Sequence, residues 1–156
     1  MDKEKLGKII IENQESFYRI AKTILKNDDD CKDAISQMII KAFEKRHTLR
    51  KEEYAKTWLT RILINECHAN FRFYNKNKNI DEYDEAIAYE KDDYSYLYEA
   101  ISKLPYNYRI CINLYYIEGF SIKEIAQMLD STESAIKKRL VRARGSLKLD
   151  LEGGAV

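Results

Sequence analysis

Ser121-Ile-Lys-Glu-Ile-Ala-Gln-Met-Leu129, Asp130-Ser-Thr132 and Glu133-Ser-Ala-Ile-Lys-Lys-Arg-Leu-Val-Arg-Ala-Arg-Gly-Ser-Leu-Lys148 run consecutively, and their reading decides the fold. Ser121 and Glu124 stand at capping-box spacing, where hydroxyl and carboxylate cap the same helix start. Ile122, Ile125, Ala126 and Leu129 recur at helical spacing and predict a short amphipathic helix. Asp130-Ser131-Thr132 breaks it. Ser131 is placed to cap a second helix, and Glu133 puts an acid in the first turn, where the helix dipole favours one. The pattern is a helix-turn-helix.

The second helix has two faces. Ile136, Leu140, Ala143 and Leu147 form an apolar stripe; Lys137, Val141, Arg144 and Lys148 form another, with Lys138 and Arg142 beside it. Cations around one small apolar side chain suit a major groove. The cations meet phosphates or guanine edges, and Val141 can touch a thymine methyl. A charged face alone fits a merely solvated helix as well. Cap, short turn and cation-rich second helix together point to DNA. Gly145 costs about 1 kcal/mol against Ala within a helix and predicts a bend or fraying there.

At 156 residues the chain can form one medium domain or two small ones. Net charge is +1, so the informative feature is zoning: residues 137–148 are basic and residues 81–93 acidic. Three widely spaced cysteines, Cys31, Cys67 and Cys111, show neither CxxC nor zinc spacing and read as buried structural residues in a reducing compartment. The opening residues carry no signal-peptide pattern, and Ile9-Ile10-Ile11 is far too short to span a membrane, so a cytoplasmic protein without membrane insertion is expected. One proline, five glycines and no strand alternation give an all-α class.

Helix one is predicted over about 5–26, with Phe17, Ile20, Ala21, Ile24 and Leu25 buried; the aspartates after Asn27 cap the next helix. Helix two covers about 30–46, with Ile35, Met38, Ile39, Ala42 and Phe43 inward and Asp33, Gln37 and Lys41 repeating every four residues outward. Residues 46–54 form a charged loop. Helix three covers about 54–74, with Leu59, Ile62, Leu63 and Cys67 inward. Trp58, Arg61, Asn65, His68, Phe71 and Arg72 interleave rings with polar groups, as single-stranded nucleic acid requires. Taken alone, these residues favour ordinary packing and surface pairing. A linker follows to about 93, then helix four over 93–103 with Tyr94, Tyr98 and Ile101. Pro105 opens helix five in its first turn, and Gly119 ends it. The reading is two small helical domains, 1–75 and 94–152, joined by a flexible acidic linker, 76–93.

Two segments together resemble the extracytoplasmic-function (group IV) sigma factors of bacterial RNA polymerase. Asp33-Ala-Ile-Ser-Gln-Met-Ile-Ile-Lys-Ala-Phe43, followed by Thr57-Trp-Leu-Thr-Arg-Ile-Leu-Ile-Asn65, is similar to that family's region 2. Leu104-Pro-Tyr-Asn-Tyr-Arg109, Gly119-Phe-Ser-Ile-Lys-Glu-Ile-Ala126 and Ser134-Ala-Ile-Lys-Lys-Arg-Leu-Val-Arg-Ala-Arg144 are similar to its region 4. The resemblance covers almost the whole chain, and the ordered pair is more specific than either part.

It implies a promoter-specificity subunit that binds core RNA polymerase and promoter DNA, serves a stress or envelope response, and is held inactive by an anti-sigma factor. Asp33, Gln37 and Lys41 then face polymerase. Loop 46–54 captures a base flipped from the −10 strand, and Trp58, Arg61, Asn65, Phe71 and Arg72 serve that element. Lys137, Lys138 and Val141 read the −35 element, with Arg142 and Arg144 on neighbouring backbone or bases. The chain departs from the family at Ser36-Gln37, usually Gln-Glu, and at Ile39, usually aromatic. Lysines at the −35-reading positions mean that a relative's consensus does not transfer.

A stand-alone helix-turn-helix regulator shares the second pattern but would bind duplex DNA tightly by itself. No Ser/His/Asp, metal-ligand or phosphate-loop spacing is present, so neither an enzyme nor a metal or other cofactor is expected.

Overall fold

The computed structural model describes the backbone of residues 1–77 and 95–154 and the side chains of residues 1–71 and 95–148. The chain divides into two compact units, Met1–Tyr83 and Asp84–Val156. Both are helical, and no strand occurs among the described residues. The acidic run 81–93, nearly all of the expected linker, and Tyr94 lie outside the described residues.

The first unit begins with α1 (Lys3–Glu12) and α2 (Gln14–Leu25), where the apolar pattern predicts one helix. The chain leaves the helical path at Asn13, whose side-chain amide donates to the Ile9 carbonyl at 2.8 Å. A short amide side chain competes with the backbone for such carbonyls, and this ends α1 without a glycine or proline. α3 (Asp28–Glu44) follows a tight turn through Lys26, at φ 62°. Asn27 caps α3, accepting from the amides of Asp29 at 2.8 Å and Asp30 at 3.1 Å. The aspartates expected to cap instead fill the first turn, where the helix dipole favours acids. Tyr18 and Lys22 of α2 both donate to Asp28, and Lys22 above all holds that carboxyl below the usual range.

α4 (Ala55–Asn77) extends beyond the predicted end near 74. It packs against α2 and most extensively against α3. Phe17, Ile20, Met38, Leu59, Leu63 and Ile64 are fully enclosed there. On α3 the inward line is Cys31, Ala34, Met38 and Ala42, while Ile35, Ile39 and Phe43 are only half-buried. The two alanines on that line let the helices approach closely.

The second unit comprises α5 (Ser95–Ser102), α6 (Tyr106–Ile112), a π-helical turn (Asn113–Ile117), α7 (Ile122–Met128) and α8 (Glu133–Gly154). Pro105 stands before α6 with an extended backbone, φ −52° and ψ 147°, so it is the cap and not a first-turn residue. Gly119 takes φ 78°, the left-handed conformation expected of a residue just past a helix end. Ile110, Leu114, Ile125, Met128 and Ile136 are fully enclosed, and α8 packs on both α6 and α7. α8 continues without interruption through Gly145, where fraying or a bend is expected from sequence.

A Cβ on Gly145 would meet no heavy atom within 4 Å. Gly145→Ala should therefore stabilise the protein by about 0.5–1 kcal/mol. A raised urea midpoint at unchanged slope checks this; a lowered midpoint would show that the glycine backbone is required.

All three cysteines are free and buried. Burial pushes the Cys31 thiol up to about 12 and raises Cys67 and Cys111 as well. Unfolded thiols ionise near 8.5, so the native state holds more protons above about that pH. Stability from this source is complete below about pH 8.5 and falls as pH rises toward 12. Urea midpoints between pH 8 and 10 should show the decline, and Cys31→Ala should lessen it. Rapid modification of all three thiols in the native protein at neutral pH would contradict their burial.

Candidate nucleic-acid interface

The helix-turn-helix is built by local chemistry. Glu124 N–H donates to Ser121 Oγ at 3.1 Å, and Ser121 N–H donates to Glu124 Oε1 at 3.0 Å, closing the capping box. Asp130 ends the α7 segment at φ 52°, a conformation that Asp tolerates better than most residues. The Ser131 amide then donates to the Ala126 carbonyl at 2.8 Å. That commits Ser131 to the turn, so Thr132 caps α8 instead, its Oγ1 accepting from Ala135 N–H at 3.1 Å.

Ile136, Leu140 and Ala143 of α8 are buried, and Leu147 is half-buried. This orientation puts Lys137, Lys138, Val141, Arg142 and Arg144 outside together. Val141 is 59% exposed, an apolar side chain among cations with no core to fill. Such a face can neutralise phosphates and touch a thymine methyl. Arg144 donates from Nη1 to the hydroxyl of Tyr116 at 2.8 Å, linking α8 to the π-helical turn. The sequence reading misses Tyr116, one of 12 tyrosines.

On α4, Trp58 is half-buried while Arg61 and Asn65 are exposed, all three in one row at helical spacing. Phe71 continues a different row, Thr60-Ile64-Cys67, and is 40% exposed where that row runs out of the core. The side chain of Arg72 lies outside the described residues. Loop 46–54 contains two short 3-10 turns, Arg46–Thr48 and Glu52–Tyr54. Leu49 is buried between them and anchors the loop, leaving Arg50, Lys51 and Tyr54 exposed beside the start of α4. Arg46 and Thr48 turn back to the carbonyls of Phe43 and Lys45, at 2.9 and 2.7 Å, and close the end of α3.

Asp33 and Gln37 line a groove between α3 and α4 with Ala34, Glu66, Ala69 and Asn70. Lys41 is half-buried and ion-paired to Glu66. The i,i+4 repeat places all three candidates on one side of α3, but Lys41 is tethered while Asp33 and Gln37 remain exposed. Glu66 follows Asn65 directly and carries no periodic signal of its own.

Residues 9–76 match the family model for Sigma-70 region 2, and residues 94–147 match that for Sigma-70, region 4. RNA polymerase sigma factor SigV of Bacillus subtilis is 32% identical over 149 residues, 91% of this chain and 88% of its own length. The chain belongs to the sigma-70 family of RNA polymerase sigma factors, in its extracytoplasmic-function group. The ECF RNA polymerase sigma factor SigM of Mycobacterium tuberculosis is 23% identical, covering 94% of this chain and 76% of that protein. The sigma factor RpoE of Bartonella quintana, solved with the anti-sigma factor NepR, has the same fold. Its TM-score is 0.75 at 22% identity, over 94% of this chain and 96% of that one.

In this sigma factor, Lys137→Ala or Lys138→Ala should weaken binding to duplex DNA. Loss of a phosphate contact should reduce the salt slope of log K by about 0.9 per cation. Loss of a base contact should cost about 1–3 kcal/mol at one base pair and leave the others unchanged. Titration of the full chain against duplexes at several salt concentrations distinguishes the two; no change in either would remove that lysine from the interface.

Proposed function

We propose that this chain is a dissociable promoter-specificity subunit of bacterial core RNA polymerase, with residues 1–75 serving polymerase and the −10 element and residues 94–152 serving the −35 element. The supporting observation is the pairing, in one chain, of two outward faces of different chemistry. The α4 face combines an aromatic ring, a guanidinium and an amide at Trp58, Arg61 and Asn65 beside an exposed loop of mixed charge, with Arg50, Lys51, Glu52 and Glu53. That set suits unstacked bases, which need ring faces and amide edges. The α8 face combines cations with Val141, which suits a duplex groove.

In this reading the exposed Asp33 and Gln37, with the groove behind them, contact polymerase. Loop 46–54 and the α4 row capture a base extruded from the −10 strand. Opening the duplex costs unpairing and unstacking energy, which the pocket contacts offset. RNA synthesis remains the work of polymerase; this chain supplies recognition and holds no cofactor. It acts in the cytoplasm, on promoters of a stress or envelope response. An anti-sigma factor controls it by covering these faces, a reading supported by the NepR-bound state of the fold relative.

The experiment is a pull-down of the full chain with bacterial core RNA polymerase, followed by run-off transcription on genomic fragments. A stable complex that initiates at new starts is expected. Absence of complex with a competent core enzyme, alongside tight duplex binding by the free chain, would favour a stand-alone regulator.

A further inference from the structure

Of the four candidate DNA-contacting cations Lys137, Lys138, Arg142 and Arg144, Arg144 stands farthest from the start of α8. It lies about three turns beyond the start of the helix, roughly 16 Å along its axis. When the N-terminal residues of α8 contact base edges in the major groove, a cation this far along the helix is placed toward the backbone, where phosphates stand. A long guanidinium side chain there loses considerable rotamer freedom on binding unless something already holds it.

Tyr116 provides that hold. The π-helical turn Asn113–Ile117 directs Leu114 inward and leaves Tyr116 54% exposed. Its ring meets Tyr115 edge-on, with centroids 4.9 Å apart at 85°. Its hydroxyl oxygen accepts from Arg144 Nη1 at 2.8 Å. Arginine has no acceptor, so the phenolic proton must point away from the guanidinium. Single π-helical turns are frequent at functional sites.

We infer that Tyr116 is a positioning residue of the DNA-binding face: it fixes Arg144 at the groove edge, and the phenol and guanidinium together grip one backbone phosphate. This rests on the sigma-factor reading of α8. The phosphate accepts N–H bonds from the remaining guanidinium donors and an O–H bond from Tyr116. The contact carries register and affinity but no base sequence.

The test uses holoenzyme reconstituted from the full chain and core polymerase, on promoter fragments recovered by run-off transcription. Four forms are compared across a salt series: the parent chain, Tyr116→Phe, Arg144→Ala and the double variant. Tyr116→Phe keeps the ring and should preserve the urea midpoint. It should weaken promoter binding by about two- to tenfold, the scale of one lost hydrogen bond, similarly at every promoter. Arg144→Ala should weaken binding further and lower the salt slope by about one. Tyr116→Phe should matter less in the Arg144→Ala background than in the parent, because the pair acts as a unit. Full affinity for Tyr116→Phe, or strictly additive effects, overturns the positioning role while leaving the sigma-factor reading intact. A parent chain that loads no polymerase on any promoter overturns both.

Discussion

A helix that belongs to a small core has one stripe to bury, and that commitment dictates everything else it presents. α8 buries Ile136, Leu140 and Ala143 against α6 and α7. Fully burying an Ile or Leu side chain contributes about 1.5–3 kcal/mol. Rotating α8 to hide Lys137 or Val141 would expose those side chains, and a unit this small has no surplus to offset the loss. The cationic face is therefore held outward by the hydrophobic face behind it. α4 obeys the same constraint. Leu59, Leu63 and Cys67 lock against α2 and α3, and this aims Arg61 and Asn65 away from the core. In both units the outward candidate row is the geometric complement of the buried row.

What the sequence makes legible follows from the range of the interaction. The Ser121–Glu124 box, the Gly119 turn and the two faces of α8 are set by residues within a few positions of each other, and all are readable directly. The break at Asn13 is local too, but an asparagine amide bonding back to Ile9 leaves the apolar rhythm almost intact, so periodicity runs straight through it. Ser131 and Thr132 both have cap chemistry ahead of Glu133. Only the backbone at Asp130 and the bond from the Ser131 amide to Ala126 decide between them. The Lys41–Glu66 pair joins two helices, and the Tyr116–Arg144 bond joins a π-helical turn to a distant helix. No spacing rule in the chain encodes either. Composition groups Phe71 with Trp58 and Arg61, whereas helical phase puts it on the row of Thr60, Ile64 and Cys67, where it is exposed.

Near-neutral overall charge is compatible with a nucleic-acid role because electrostatics is local under cellular conditions. Charges farther apart than about 8–10 Å are largely screened at physiological salt. A cation acts on a phosphate within that distance, and an acid farther away than that contributes little to the contact.

Affinity must then come from combining faces. A few cations and one valine on α8, or one aromatic, one guanidinium and one amide on α4, are each a small contact. Small contacts reach high specificity when they are made together, since the second forms at the effective concentration set by the first. That gain requires the two faces to be held in a register that matches the spacing of their targets. In the proposed function, polymerase supplies the register by binding the chain. Specificity is thereby confined to the assembled enzyme, and the duplex is opened only where both faces find their sequence. The Tyr116–Arg144 pair fits this division of labour. A contact that fixes where α8 meets the backbone, without reading any base, sharpens the register on which the base-reading side chains depend.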